Sequence, residues 1–135
     1  MRAAKEELTE SWLLKAKRDL RSADELAHVS PPLLDTAAYH CQQAAEKAIK
    51  GFLLFNDVRF EKTHDIEVLI SQACEVDATF CGCCEAARIL TPLAIEFRYP
   101  GDYVEPDADE YRAAYEVAVM VYDFIVQKLP SISIS

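Results

Sequence analysis

The chain has 135 residues, a length that fits one domain with its own core. Apolar types make up 51% and charged types 27%, with only 3 Gly and 6 Pro, so long loops and a glycine-rich phosphate cradle are not expected. A formal net charge of −9 argues against a surface that grips nucleic acid throughout, although a local basic patch remains compatible with it.

The first helix is expected to start near Thr9 or Ser11. Leu13, Ala16, Leu20, Ala23 and Ala27 return at three- and four-residue steps, and Ser30-Pro31-Pro32 stops the pattern. The second covers Ala38 to Phe55, "AYHCQQAAEKAIKGFLLF". Cys41, Ala44, Ala45, Ala48 and Phe52 define its core face. Tyr39, Gln43, Glu46 and Lys50 follow another face, and Glu46 can pair with Lys50 across one turn. His40, Lys47 and Lys50 could form a small positive patch, with Gln43 available to a base or ribose. The plainer alternative is a solvated helix face, or one that meets another helix and sets its register.

A shorter third helix follows "KTHD", with Thr63 as cap, Asp65 in the first turn, and Ile66, Leu69, Ile70 and Ala73 turned inward. His64 reads as part of that helix start. The fourth segment runs from about Ala78 to Phe97, and Pro92 interrupts it. After the break "RYPGDYVEP", the fifth helix opens with Asp107 as cap and Glu110 three residues on. It carries two apolar stripes. Tyr111, Tyr115, Ala118, Tyr122 and Ile125 form one; Ala114, Val117, Val121 and Phe124 form the other. That width suits a central helix or one that meets a second subunit, and the candidates for a dimer contact are Tyr115, Val117, Val121 and Phe124. The closing "SISIS" reads as a frayed tail. The whole is all-α, a five-helix antiparallel bundle forming a single domain over residues 1–135.

The five cysteines are an odd number, and no apolar export signal or membrane-length apolar run appears, so reduced thiols, a cytoplasmic setting and no membrane contact are the expectations. Cys81 and Cys84 form one Cys-x-x-Cys. No second pair stands at zinc-site spacing, and neither a metal nor a cofactor is expected.

Arg98 is the strongest single candidate for a ligand contact, because its planar fork of donors suits a phosphate or a carboxylate. Tyr99 and Tyr103 could stack on a base, and Asp102 could instead bond Arg98.

Taken together, "WLLKAKRDLRSADEL", "AAYHCQQAAEKAIKGFLLF", "KTHDIEVLI" and "FRYPGDY" resemble the HEPN family, in that order and across nearly the whole chain. The resemblance implies a homodimer and a nucleotidyltransferase substrate-binding-subunit type of bundle. It also implies association with a minimal nucleotidyltransferase, often as toxin and antitoxin. A nucleotide- or RNA-binding role is the alternative. Other branches are metal-independent ribonucleases carrying an Arg, four to six residues, then a His. Here His28, His40 and His64 all precede Arg98, and Tyr103 stands where that His belongs. A tyrosine, with an ordinary pKa near 10, is a poor proton carrier at neutral pH, so no catalytic residue is assigned.

Overall fold

In the computed structural model, residues 3–60, 62–94 and 105–134 are described. They form α1 (Ala4–His28), α2 (Leu34–Phe55), α3 (Ile66–Val76), α4 (Cys84–Leu90) and α5 (Ala108–Lys128). Short 3-10 turns, Ala78–Cys83 and Thr91–Ala94, flank α4. No strand occurs among the described residues, and the five-helix antiparallel bundle expected from periodicity is the architecture observed.

The core is centred on α2, which packs most extensively on α1 and next on α5. Ala37, Ala38, Ala44, Ala45 and Ala48 are all buried, so α2 presents almost no side-chain bulk to its neighbours on that side. Gly51 extends the same logic. A Cβ there would stand 3.1 Å from Trp12 Cβ, so glycine is what lets α1 approach. Phe80 closes the opposite end, 1% exposed, with its ring 4.5 Å from that of Phe52 and 5.0 Å from that of Phe124.

Local chemistry explains most boundaries and corrects several. The Asp107 carboxylate accepts from Glu110 N at 2.7 Å and the Glu110 carboxylate accepts from Asp107 N at 3.0 Å, the reciprocal cap expected for α5. By contrast, α1 starts at Ala4, well before Thr9. Thr9 is fully buried inside the helix and donates to Lys5 O at 2.8 Å, so its hydroxyl is not a cap. The cap of α3 is Asp65, accepting from Glu67 N at 2.9 Å; Thr63 accepts from Asp65 N one step earlier. Pro92 does interrupt the fourth segment: it lies within the 3-10 turn Thr91–Ala94, and as far as Ala94 the segment holds one short α-helix between tighter turns. The tail is not wholly frayed, because Ile132 is 5% exposed and packs into the core.

The cysteines also depart from expectation. Cys74 of α3 and Cys81 of the following 3-10 turn are joined in a disulfide, while Cys41, Cys83 and Cys84 are free thiols. The turn after Asp77 folds Cys81 back beside α3, bringing the two Cα atoms to 5.6 Å, within ordinary bridging range.

Asp77 secures that turn. Its carboxylate accepts from Thr79 Oγ1 at 2.6 Å and Thr79 N at 3.0 Å, and pairs with Lys128 of α5 at 2.9 Å. Those bonds, Thr79's first, hold its pKa down to about 2 from an ordinary 3.8. A depressed carboxylate pKa contributes stability fully above the ordinary value and loses it as pH falls through the folded one. Asp77→Asn should therefore lower the thermal midpoint at pH 6. The gap from wild type should narrow across the interval from 3.8 down to about 2. Thermal melts followed by circular dichroism at both ends of that interval check it.

Candidate functional site

The polar side chains of α2 converge on two carboxylates. Asp19 of α1 is 7% exposed. One of its oxygens lies 2.8 Å from His40 Nδ1, and the other accepts from Lys47 Nζ at 2.6 Å. His40 and Lys47 stand seven residues apart, two turns along one side of α2, so a single carboxylate from α1 is held between them.

Glu46 is the second centre, 4% exposed. Its Oε1 accepts from Gln42 Nε2 at 3.0 Å and lies 2.8 Å from His64 Nδ1; its Oε2 accepts from Lys50 Nζ at 3.0 Å. Gln42, fully buried, also donates to the carbonyl of His64 at 3.0 Å, and Gln43 donates to Gln42 Oε1 at 2.8 Å. Gln42, Glu46 and Lys50 follow one another at four-residue steps, so the chain runs along one face of α2. Through His64 it ties down the loop that leads into α3. Phe60 covers the end of it, with Lys50 Nζ 5.6 Å from the ring centroid.

An ionised carboxylate only accepts, so each histidine must donate from Nδ1 to make its bond. That choice fixes the tautomer of any neutral ring and leaves Nε2 for another partner. The His40 side chain is 28% exposed and that of His64 is 57% exposed. His40 borders a surface cavity of about 410 Å³ lined also by Arg21, Ser22, Glu25 and Leu26. Cys41, beside His40 in sequence, faces the core. Burial, and secondarily the Asp19 charge, push its thiol up to about 12, which makes it a packing group rather than a nucleophile.

Of the residues singled out from sequence, His40 and Lys47 are thus brought together on Asp19, while Lys50 and Gln43 join the bonds around Glu46. Asp19, Glu46, Gln42 and His64 complete the arrangement. Glu46 and Lys50 were legible as a one-turn pair, but Asp19 and His64 reach their partners on α2 from 21 and 18 residues away. Arg98, Tyr99, Asp102 and Tyr103 lie outside the described residues. No group of His, Cys, Asp and Glu capable of holding a metal occurs among the described residues, and no helix there is long and apolar enough to cross a membrane.

A second cavity, about 270 Å³, lies between α1 and α5 and is lined by Asp24, His28, Leu34, Tyr111, Arg112 and Tyr115, among others. The Tyr111 hydroxyl is buried with no bonding partner among the described residues. Burial holds its phenol well above the ordinary value.

On α5 both stripes contribute to the core. Tyr111, Ala114, Ala118, Val121, Tyr122 and Ile125 are buried within the chain itself. Val121, 1% exposed, therefore belongs to this core and not to a surface contact, a correction to its expected place. Tyr115, Val117 and Phe124 are half-buried. Met120, which belongs to neither stripe, is 49% exposed. The outward row is Ala113, Val117, Met120 and Phe124, at steps of four, three and four.

The comparisons agree with this architecture. The HEPN domain family matches residues 9–129. Among solved structures, the chain is similar to ST0689, an archaeal HEPN homologue, at 24% identity and a TM-score of 0.70, covering 90% of this chain and 97% of that one. It is similar also to TT1696 from Thermus thermophilus, at 25% identity and a TM-score of 0.74, covering 90% and 98%. Curated proteins offer no match. With the four sequence motifs, the five-helix bundle and a family match over residues 9–129 all in agreement, the chain belongs to the HEPN domain family.

Proposed function

We propose that this chain is a homodimeric, non-catalytic partner of a minimal nucleotidyltransferase, in the manner of a toxin–antitoxin pair. The observation that carries the reading is the Arg98 segment. No histidine follows Arg98 anywhere in the chain, and Tyr103 occupies the place of the proton carrier that the related ribonucleases use. The two histidines nearest to α2's polar face support it, because both are tied through Nδ1 to buried carboxylates that hold helices together.

These bonds also bear on ligand binding. Lys47 and Lys50 are each paired with a carboxylate, so their positive charge is locally balanced, and His40 bonds the same carboxylate as Lys47. Attraction for a phosphate would then rest on Arg98, with Tyr99, Asp102 and Tyr103 beside it in sequence. The same guanidinium would serve as well against a carboxylate on a protein partner. The outward row of α5 would supply the apolar contact between two copies.

The test is co-expression with a nucleotidyltransferase encoded beside it, one tag on the enzyme, and size-exclusion chromatography of the eluate. The reading expects one peak containing both chains at micromolar concentration, and Arg98→Ala should weaken it without changing helicity. Separate elution of the two proteins contradicts the reading. Cleavage of a short RNA without added metal by the isolated chain would contradict its non-catalytic part.

A further inference from the structure

Three cysteines lie where α3 turns into the 3-10 segment and α4 begins. The Cys74–Cys81 disulfide joins the two elements. Cys84, at the start of α4, is an exposed free thiol whose Sγ donates to the carbonyl oxygen of Cys81 at 3.2 Å. Cys81 is exposed as well, and Cys74 is half-buried. Cys83, between them, turns inward, and burial raises its thiol above the ordinary value.

Residues three apart on a 3-10 or α turn have Cα atoms about 5–6 Å apart, which is within the span a disulfide bridges. Cys81 consequently has two cysteines in range, Cys74 across the turn and Cys84 one turn further on. We infer that Cys74, Cys81 and Cys84 form a thiol–disulfide exchange site. Cys84 gives its proton to solvent, and its thiolate attacks the Cys81 sulfur. The Cys81–Cys84 bond forms as the Cys74–Cys81 bond breaks. Cys74 leaves as a thiolate and takes a proton from solvent. One disulfide and one thiol enter and leave, so no oxidant, reductant or co-reactant is consumed.

The two states differ in what they hold. Phe80 anchors the 3-10 turn in the core against Phe52 and Phe124, whichever partner Cys81 has. The end of α3 is another matter. Cys74 is followed by Glu75 and Val76, both exposed, and the disulfide is the covalent tie at that end. Exchange thus removes the covalent tie at the end of α3 and leaves the core and the Asp77–Lys128 pair in place. An exposed disulfide beside a free thiol is of the labile kind, and in a reducing compartment such bonds are more often regulatory than structural.

Glu-C cleavage after Glu75 separates Cys74 from a peptide holding Cys81, Cys83 and Cys84, so the two pairings have different masses. Purified protein with its disulfide intact is held anaerobically at about pH 8 without added thiol, then quenched with N-ethylmaleimide and mapped unreduced; the thiolate is the attacking species, so exchange is slower at about pH 6. Wild type is expected to lose cross-linked peptide and gain two species in step, maleimide-labelled Cys74 and an internally bridged 76–85 peptide. Cys84→Ser, at an exposed position, should abolish both products, while Cys83→Ser should keep them. Failure of labelled Cys74 to appear in wild type overturns the proposal, as does its equal appearance in Cys84→Ser.

Discussion

Glu46→Ala should destabilise the protein by about 3 kcal/mol, the lower end of the range for breaking a buried ion pair from one side. The lysine carries the effect. The Lys50 side chain is 11% exposed, and its ammonium would lose the carboxylate 3.0 Å away. Phe60 would still lie beneath it at 5.6 Å, and a long lysine can extend toward water, which is why the upper end is not expected. Gln42 keeps its bond to the His64 carbonyl, and His64 is exposed enough to be rehydrated. Lys50→Met in the same background isolates the pair. If the two are coupled, the double variant should be more stable than the sum of the single losses implies, by at least about 1 kcal/mol. Urea unfolding followed by circular dichroism supplies all four corners of the cycle. A loss below about 0.5 kcal/mol for Glu46→Ala would mean that the pair behaves as a surface ion pair.

The second large effect is expected at Asp19. Asp19→Ala removes the common acceptor of His40 and Lys47, whose side chains are 28% and 25% exposed. Both can turn partly to water, so a loss of about 2 kcal/mol is expected, less than at Glu46. Asp19→Asn should recover part of it, because an amide oxygen still accepts one of the two bonds. A chemical marker accompanies the loss. Asp19's charge helps to hold the Cys41 thiol up, so its removal should ease Cys41 alkylation in the folded state. Equal stability of Asp19→Ala and wild type would show that α1 and α2 are joined by their apolar contact alone.

What could be read from the sequence was what neighbouring residues decide. The Asp107–Glu110 cap is a three-residue relation, and Ser30-Pro31-Pro32 ends α1 by covalent constraint, so both were legible. Apolar periodicity located α2, α3 and α5 for the same reason. What escaped depends on how helices meet. Glu46 and Lys50 were visible as a pair, yet their burial follows from Phe60 and His64 folding over them. Asp19 gave no local sign, since an acidic residue among Lys17, Arg18 and Arg21 resembles any charged helix face. On α5 the two stripes were plain, but which residues of each turn inward is decided by the neighbouring helices. Periodicity alone therefore does not tell that Val121 is buried and Met120 exposed. The disulfide was hidden likewise, because an odd number of cysteines reads as free thiols until the turn after Asp77 is seen to bring Cys81 beside Cys74.

The outer row of α5 is where the functional reading is most exposed to test. Sedimentation equilibrium at tens of micromolar, on wild type, Met120→Asp, Val117→Asp and Val121→Asp, separates a subunit contact from the chain's own core. The account predicts that wild type sediments at twice its 15.2 kDa. Met120→Asp and Val117→Asp should be helical monomers. Val121→Asp, a charge placed at a 1% exposed position, should instead lose helicity. A wild-type protein that remains at 15.2 kDa across the concentration range would contradict the account.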